Sequence, residues 1–361
     1  MKIVIISRTC FPAKAPRSYR ATELAKELVR QGHRVTLYAF LGDYDYTKIS
    51  ESTGIIFKSL GKAKYGMPSN TSPQGQKLLH RIGRAIGRPI NFPECSMIPM
   101  VKKAIKSEGE IDLLITIAVP HIIHFATSLA NRSKIKNWIA DCGDPFMGNP
   151  MYKLPFYFEW FERRWCKRCN YITVPVEDAI NAYYPEYKEK IRVIPQGFDF
   201  ANNTLAEYTP NRVPTFAYSG IFYKDLRDPS RMLDYLSTLK DDFKFVVYTK
   251  GFGLLQPYMD RLKGKIEVRN YVPREQLLYE LSKMDFLVNV LNKSGVQQPS
   301  KLIDYALTKR PILNISSDFS KEEQNNLDEF MQADYRHQHL VRDIEQYNIS
   351  NVAKCFLELT K

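Results

Sequence analysis

No stretch of the 361-residue chain approaches the ~18 consecutive apolar residues of a membrane-crossing helix. The opening Met1-Lys2-Ile3-Val4-Ile5-Ile6 is too short for a signal peptide and leads directly into fold-like sequence, so the expected location is the cytoplasm. Cysteine is sparse and scattered (Cys10, Cys95, Cys142, Cys166, Cys169, Cys355), which excludes a disulfide framework and leaves reduced thiols. Cys166-Lys167-Arg168-Cys169 has C-x-x-C spacing, but no second pair or histidine cluster stands by to complete a zinc site, and it reads as structural. The loop after the first apolar run lacks G-x-G-x-x-G, against a nicotinamide-type dinucleotide fingerprint. The sole D-x-D, Asp43-Tyr44-Asp45, lies in a tyrosine-rich loop and reads as a solvated turn, not a metal site.

What is present is a soluble globular composition, 44% hydrophobic and 25% charged, long enough for two domains with a core each. The net charge of +13 is uneven. Met1 to Gly197 holds 30 Lys and Arg against 17 Asp and Glu, whereas Phe198 to Lys361 is balanced at 22 each, so only the first half calls for an anionic partner. A membrane surface, a nucleic acid and a phosphorylated acceptor all fit that charge. No recognised nucleic-acid motif accompanies it.

The hydrophobic pattern alternates between strand and helix. Strands are expected at Lys2–Ser7, Arg34–Phe40, Asp112–Ile117, Asn137–Asp141, Tyr171–Val174 and Arg192–Ile194, with helices near Ala21–Val29, Met97–Lys106, His121–Ala130, Tyr152–Arg168 and Val176–Tyr183. A Pro/Asn/Gly-rich segment from Pro195 to Pro214 interrupts. The alternation then restarts with strands at Thr215–Ser219, Phe243–Tyr248, Ile266–Arg269, Asp285–Val290 and Arg310–Ile315. This predicts an α/β protein of two Rossmann-like, doubly wound domains facing a cleft: residues 1–197, residues 198–340, and a terminal helix in 341–361 that packs back on the first domain.

The string Gln297-Gln298-Pro299-Ser300-Lys301-Leu302-Ile303-Asp304-Tyr305 follows the apolar run Phe286–Val290, at the carboxyl end of a buried parallel strand where open α/β sheets bind ligands. Pro299 and Ser300 set a helix start whose free amides favour an anion. Lys301 adds a mobile cation, and Asp304 lies one turn on, where a carboxylate accepts from ribose hydroxyls. Together they describe a cradle for a nucleotide diphosphate.

These residues carry a resemblance. Phe11-Pro12 through Arg20, then Gly32-His33-Arg34-Val35, resemble the first loop and "GH-x-V" strand of the retaining, family-4-like nucleotide-sugar glycosyltransferases of GT-B fold that build bacterial surface polysaccharides and glycolipids. Asp141-Cys142-Gly143-Asp144-Pro145-Phe146 is similar to the "D-x-x-D-P-W" turn of a subgroup, and Arg192-Val193-Ile194-Pro195-Gln196-Gly197-Phe198-Asp199 to its "R-V-I-P-N-G-V-D" junction. Tyr218-Ser219-Gly220, Tyr271-Val272-Pro273 and the cradle resemble its donor-domain strand-loop, the loop over the base and its "P-S-K-x-x-E-Y". The chain departs from the family's glutamate pair: Asp304 takes the second place, and Val296, flanked by Gln297 and Gln298, the first.

The resemblance implies transfer of a sugar from a nucleotide-diphosphate sugar to a glycan or lipid-linked acceptor hydroxyl, with retention, without metal and without a further cofactor. Gly220, Arg227, Lys301 and Ser300 would stabilise the departing diphosphate; of Arg227 and Lys224, either of which could replace the family's usual arginine, Arg227 is favoured because its fork fits a diphosphate bidentately. Asp304, Gln297, Gln298, Tyr271 and Val272 would contact ribose, sugar and base. His121 would face the donor sugar, Asp144 would orient or deprotonate the acceptor, and Arg17 would reach diphosphate or acceptor. The first-half charge, with the pattern of Leu78, Leu79, Ile82, Ile86 and Lys77, Arg81, Arg84, Arg88 over Gln76–Pro89, implies a peripheral place on the cytoplasmic face of an anionic membrane. The alternatives are a nucleotide-sugar epimerase of the same fold, a basic non-enzymatic binding protein, and a transferase degenerated to a scaffold.

Overall fold

The structure is a computed structural model that describes residues 1–62, 94–149, 154–201, 203–224, 226–292 and 301–361. Strands that are apolar along their whole length need cover on both faces, and these form two parallel sheets. The first contains β1 (Lys2–Ile6), β2 (Arg34–Ala39), β3 (Ile56–Ser59), β4 (Ile111–Ala118), β5 (Ile135–Cys142), β6 (Tyr171–Val174) and β7 (Ile191–Val193), in the order β3-β2-β1-β4-β5-β6-β7. The second contains β8 (Thr215–Ser219), β9 (Lys244–Tyr248), β10 (Ile266–Arg269), β11 (Phe286–Val290) and β12 (Ile312–Ile315), in the order β10-β9-β8-β11-β12. In each, the first strand of the sheet lies beside the fourth, so strand order reverses at β1/β4 and at β8/β11. Such switch points open a crevice at the carboxyl ends of the strands.

Among the described residues the helices are α1 (Pro16–Arg30), α2 (Thr47–Thr53), α3 (Met97–Glu108), α4 (Ile122–Ser128), α5 (Phe158–Arg168), α6 (Ser230–Leu236), α7 (Arg274–Leu281), α8 (Lys301–Leu307), α9 (Lys321–Met331) and α10 (Ile349–Glu358). The chain forms two compact units, Met1–Phe198 with Gln346–Lys361, and Asp199–Glu345. In the first, α1 lays Leu24, Ala25 and Leu28 against Ile3 and Ile5 on one sheet face, joined by Val352, Ala353 and Phe356 of α10. The other face packs Val101 and Ile105 of α3 with Trp138 and Trp165. In the second, Phe216 stacks on Phe245 at 4.8 Å and on Phe286 at 4.6 Å beneath Leu233, Leu236 and Phe330. Leu281, Leu302 and Tyr305 cover the opposite face.

Several elements differ from the sequence expectation. Helix α5 begins at Phe158, because Pro155 lacks an amide donor and disfavours helical geometry just before it. The segment Val176–Tyr183 forms a short 3-10 helix over Glu177–Ala182 between Pro175 and Pro185. Helix α2 and the edge strand β3 were not expected. Asp45, read as a solvated turn, accepts at Oδ1 from the Thr47 amide (2.9 Å) and hydroxyl (2.6 Å) and so starts α2. The amphipathic pattern of Gln76–Pro89 lies outside the described residues. Among the described residues no helix is long and apolar enough to cross a membrane.

Candidate functional site

In the second unit the β8/β11 switch point gathers the cationic residues. Gly220 follows β8 with φ 141°, a conformation that favours glycine, and a Cβ there would lie 3.0 Å from Tyr218 Oη. The strand end is pinned on both sides: the Ser219 amide donates to Tyr305 Oη (2.7 Å) and the Gly220 amide to the Tyr248 carbonyl (2.9 Å). Beyond it, Tyr223 and Arg227 exchange backbone hydrogen bonds of 3.1 and 2.8 Å, a turn that returns Arg227 toward the strand. Lys301 opens α8 on the far side of the switch point, its Nζ 4.3 Å from the centre of the Tyr218 ring, which itself stacks on Phe222 at 4.1 Å.

Lys301 Nζ and Arg227 Nε are buried, and neither has an acceptor among the described residues. Burial pushes the Lys301 ammonium well below its usual range, and the nearby Arg227 charge pushes the same way. One turn on, Asp304 Oδ1 accepts from Arg274 Nε at 2.8 Å. Burial raises the Asp304 carboxyl, opposed by the Arg274 charge. Tyr271 is exposed with Lys250 Nζ 4.5 Å from its ring centre, and Val272 packs on the core face that includes Leu302. Gln297, Gln298 and Ser300 lie outside the described residues.

The carboxyl edge of the first sheet is organised by a buried carboxylate. Asp141, at the end of β5, is forked by Arg20 (Nη2 to Oδ1 2.9 Å, Nε to Oδ2 3.2 Å) and accepts from Thr173 Oγ1 at 2.7 Å. Arg20 also donates to the Pro195 carbonyl at 2.6 Å, and Phe356 of α10 packs over its guanidinium. Arg17 Nη1 lies 3.6 Å from the same carboxylate, and its Nη2 donates to Gln196 Oε1 at 3.4 Å. Burial lowers the Arg17 guanidinium's affinity for its proton, with Asp141 opposing. Gly143 makes room for it, since a Cβ would lie 2.6 Å from Arg17 Cζ.

His121 follows β4 at the first switch point. Its ring packs on Phe146 at 4.8 Å and its Nε2 donates to the Asp144 carbonyl at 2.9 Å. That bond fixes the proton on Nε2, and burial lowers the imidazole to about 4, so His121 is neutral and ties down the loop that exposes Asp144. The structure therefore brings Arg17, His121 and Asp144 to one sheet edge of the first unit, and Gly220, Arg227, Lys301 and Asp304 to one sheet edge of the second. Arg20 and Asp141 were missed as a pair, although Arg20 falls in the apolar phase of α1, four residues before Leu24, where a charge needs a buried partner.

No family model matches the chain, and no curated protein matches it by sequence. Solved structures do match. A glycosyltransferase from Rickettsia africae aligns over 100% of this chain and 97% of its own at 14% identity and a TM-score of 0.62. The fold is GT-B. S. aureus TarM, as a variant in complex with fondaparinux, α-GlcNAc-glycerol and UDP, aligns over 100% and 99% at 12% identity and a TM-score of 0.60. Anabaena HepE in complex with UDP-glucose aligns over 99% and 98% at 10% identity and a TM-score of 0.59. At these identities the likeness extends to the GT-B fold and no further.

Proposed function

We propose that the chain is a glycosyltransferase that moves a sugar from a nucleotide-diphosphate sugar to an acceptor hydroxyl on a glycan or lipid-linked precursor, with retention and without a metal. The observation that carries the reading is the pair of cations at the β8/β11 switch point, whose Lys301 Nζ and Arg227 Nε are buried without an acceptor among the described residues. A buried ammonium without a partner is costly, and a diphosphate supplies the missing acceptors. As the bond from the anomeric carbon to the diphosphate breaks, charge collects on the leaving oxygens, and Lys301 and Arg227 stabilise it. Gly220 lets the backbone approach the phosphates, and the Pro299-Ser300-Lys301 string assigns Ser300 to the same phosphates. Asp304, held by Arg274, keeps Oδ2 for the ribose, Tyr271 and Val272 lie against the base, and Gln297 and Gln298 take the sugar. On the acceptor side Asp144 orients the hydroxyl or takes its proton, Arg17 binds an anionic group, and neutral His121 acts through the loop it holds.

The HepE complex with UDP-glucose makes uridine donors the first to test. A thermal-shift screen of nucleotide sugars should find one that raises the melting midpoint, since a ligand at 100 times its Kd stabilises the native state by about 2.7 kcal/mol. If none does, the cradle assignment falls. If the donor sugar changes configuration without any acceptor present, the epimerase reading replaces transfer.

A further inference from the structure

Helix α5 carries a carboxyl group into the interior of the first unit. Glu162 is 0% exposed. Its Oε2 accepts from Tyr184 Oη at 2.9 Å and from the Met147 amide at 3.3 Å, while Oε1 has no donor among the described residues. Met147 belongs to the loop 143–149 that leaves β5, and three residues earlier in that loop His121 holds the Asp144 carbonyl. Farther along, Gly148 packs so closely on the Ala182 carbonyl that no Cβ fits. The loop is therefore gripped on both sides of Pro145 and Phe146, and one grip is an acid buried away from water.

We infer that Glu162 is a positioning residue for acceptor binding: its carboxylate, seated on Tyr184, holds the Met147 amide and so sets where the loop presents Asp144. This rests on the reading of Asp144 as the acceptor residue. The titratable groups that face Glu162 are Tyr184 and Tyr183 beyond β6, Cys142 on β5, and Glu159 and Cys166 on α5 itself, with Arg163 over the Tyr184 ring. Burial pushes both tyrosines and both thiols upward, so they stay neutral around pH 7. Burial pushes Glu162 to about 7, against the bonds from Tyr184, Met147 and Phe146. The grip is thus charge-assisted above neutral pH and an ordinary hydrogen bond below it.

Amide hydrogen exchange of the full chain between pH 5.5 and 8.5, corrected for intrinsic rates, tests this without requiring turnover. The Met147 amide should gain about five-fold protection across pH 7, the difference between a neutral and a charge-assisted bond. Glu162→Gln should abolish the rise. Tyr184→Phe, which keeps the carboxyl but removes one of its donors, should move the midpoint to higher pH. With an active donor and acceptor, both variants should raise the acceptor KM and leave nucleotide affinity unchanged. A protection profile flat with pH in the unaltered protein, or equal in Glu162→Gln, overturns the inference, as does an unchanged acceptor KM. Failure to find any donor overturns the proposed transferase activity, while the exchange profile still decides whether Glu162 grips the loop.

Discussion

Replacing Lys301 by methionine should make the empty protein more stable and the nucleotide-bound protein less so. In the empty state the ammonium is buried without an acceptor among the described residues, over the Tyr218 ring. An unsatisfied buried charge costs about 1–3 kcal/mol or more, and the ring returns about 1 kcal/mol of it. Methionine keeps most of the apolar stem and removes the charge, for a net gain of about 1 kcal/mol, or about 2–4 °C in the melting midpoint. With UDP present the sign reverses. The variant loses a charge-assisted contact of about 1.5–3 kcal/mol, roughly ten- to 150-fold in Kd. Burial and Arg227 depress the proton affinity of Lys301, and a bound diphosphate would raise it, so proton binding and UDP binding are linked. UDP affinity should therefore weaken as pH rises, and the binding enthalpy should vary with the ionisation enthalpy of the buffer. Scanning and titration calorimetry with and without UDP measure all of this. A variant with a lower midpoint when empty and an undiminished response to UDP would refute the argument.

Arg20→Ala leaves Asp141 buried with only Arg17 and Thr173 beside it, and should cost about 3–5 kcal/mol in urea unfolding; a loss under 1 kcal/mol would show that the pair does not organise the sheet edge. Glu162 releases its proton at about 7 instead of 4.5, so the folded state holds that proton more tightly than the unfolded chain. Its contribution is full below pH 4.5 and is lost as pH rises through 7, about 3 kcal/mol in all, a slope that should vanish in Glu162→Gln. On α5, Trp160 is 58% exposed and Phe156, just before the helix, 84%, beside Arg164, Lys167 and Arg168, a surface suited to an anionic leaflet. Changing those three cations to glutamate should release the protein from anionic vesicles in co-sedimentation at low salt, at about 1 kcal/mol for each cation removed; indifference of the unaltered protein to such vesicles would refute the peripheral membrane placement expected from the sequence.

Strands β4 and β11 were legible because burial on both faces demands an unbroken apolar run, a property that local sequence records. Strand β3 was not, since a four-residue edge strand with exposed Lys58 and Ser59 shows little pattern. The Pro-Ser-Lys string marked Lys301, yet its surroundings depend on Tyr218 in β8 and Arg227 in the turn after it, residues far away in sequence. His121 was placed at the right sheet edge. Its ring direction, onto Phe146 and the Asp144 carbonyl, is a tertiary fact. Glu162 lies within a Phe-Glu-Arg-Arg string that reads as a solvated helix face, and only the helix phase set by Phe158 and Trp165 buries it.

The return of α10 to the first unit also dictates an order of events. Phe198 bonds to Tyr347 (2.8 Å) and to Ile349 (2.9 Å), so the chain's exit from the first unit and its re-entry are stitched together. Val352, Ala353 and Phe356 complete an apolar face that Leu24 and Leu28 occupy from the other end of the sequence. During synthesis that face stays open until the whole of Asp199–Glu345 has left the ribosome. The half made first is the half finished last, and a nascent chain stalled anywhere in the second unit carries an uncovered greasy surface that chaperones must shield.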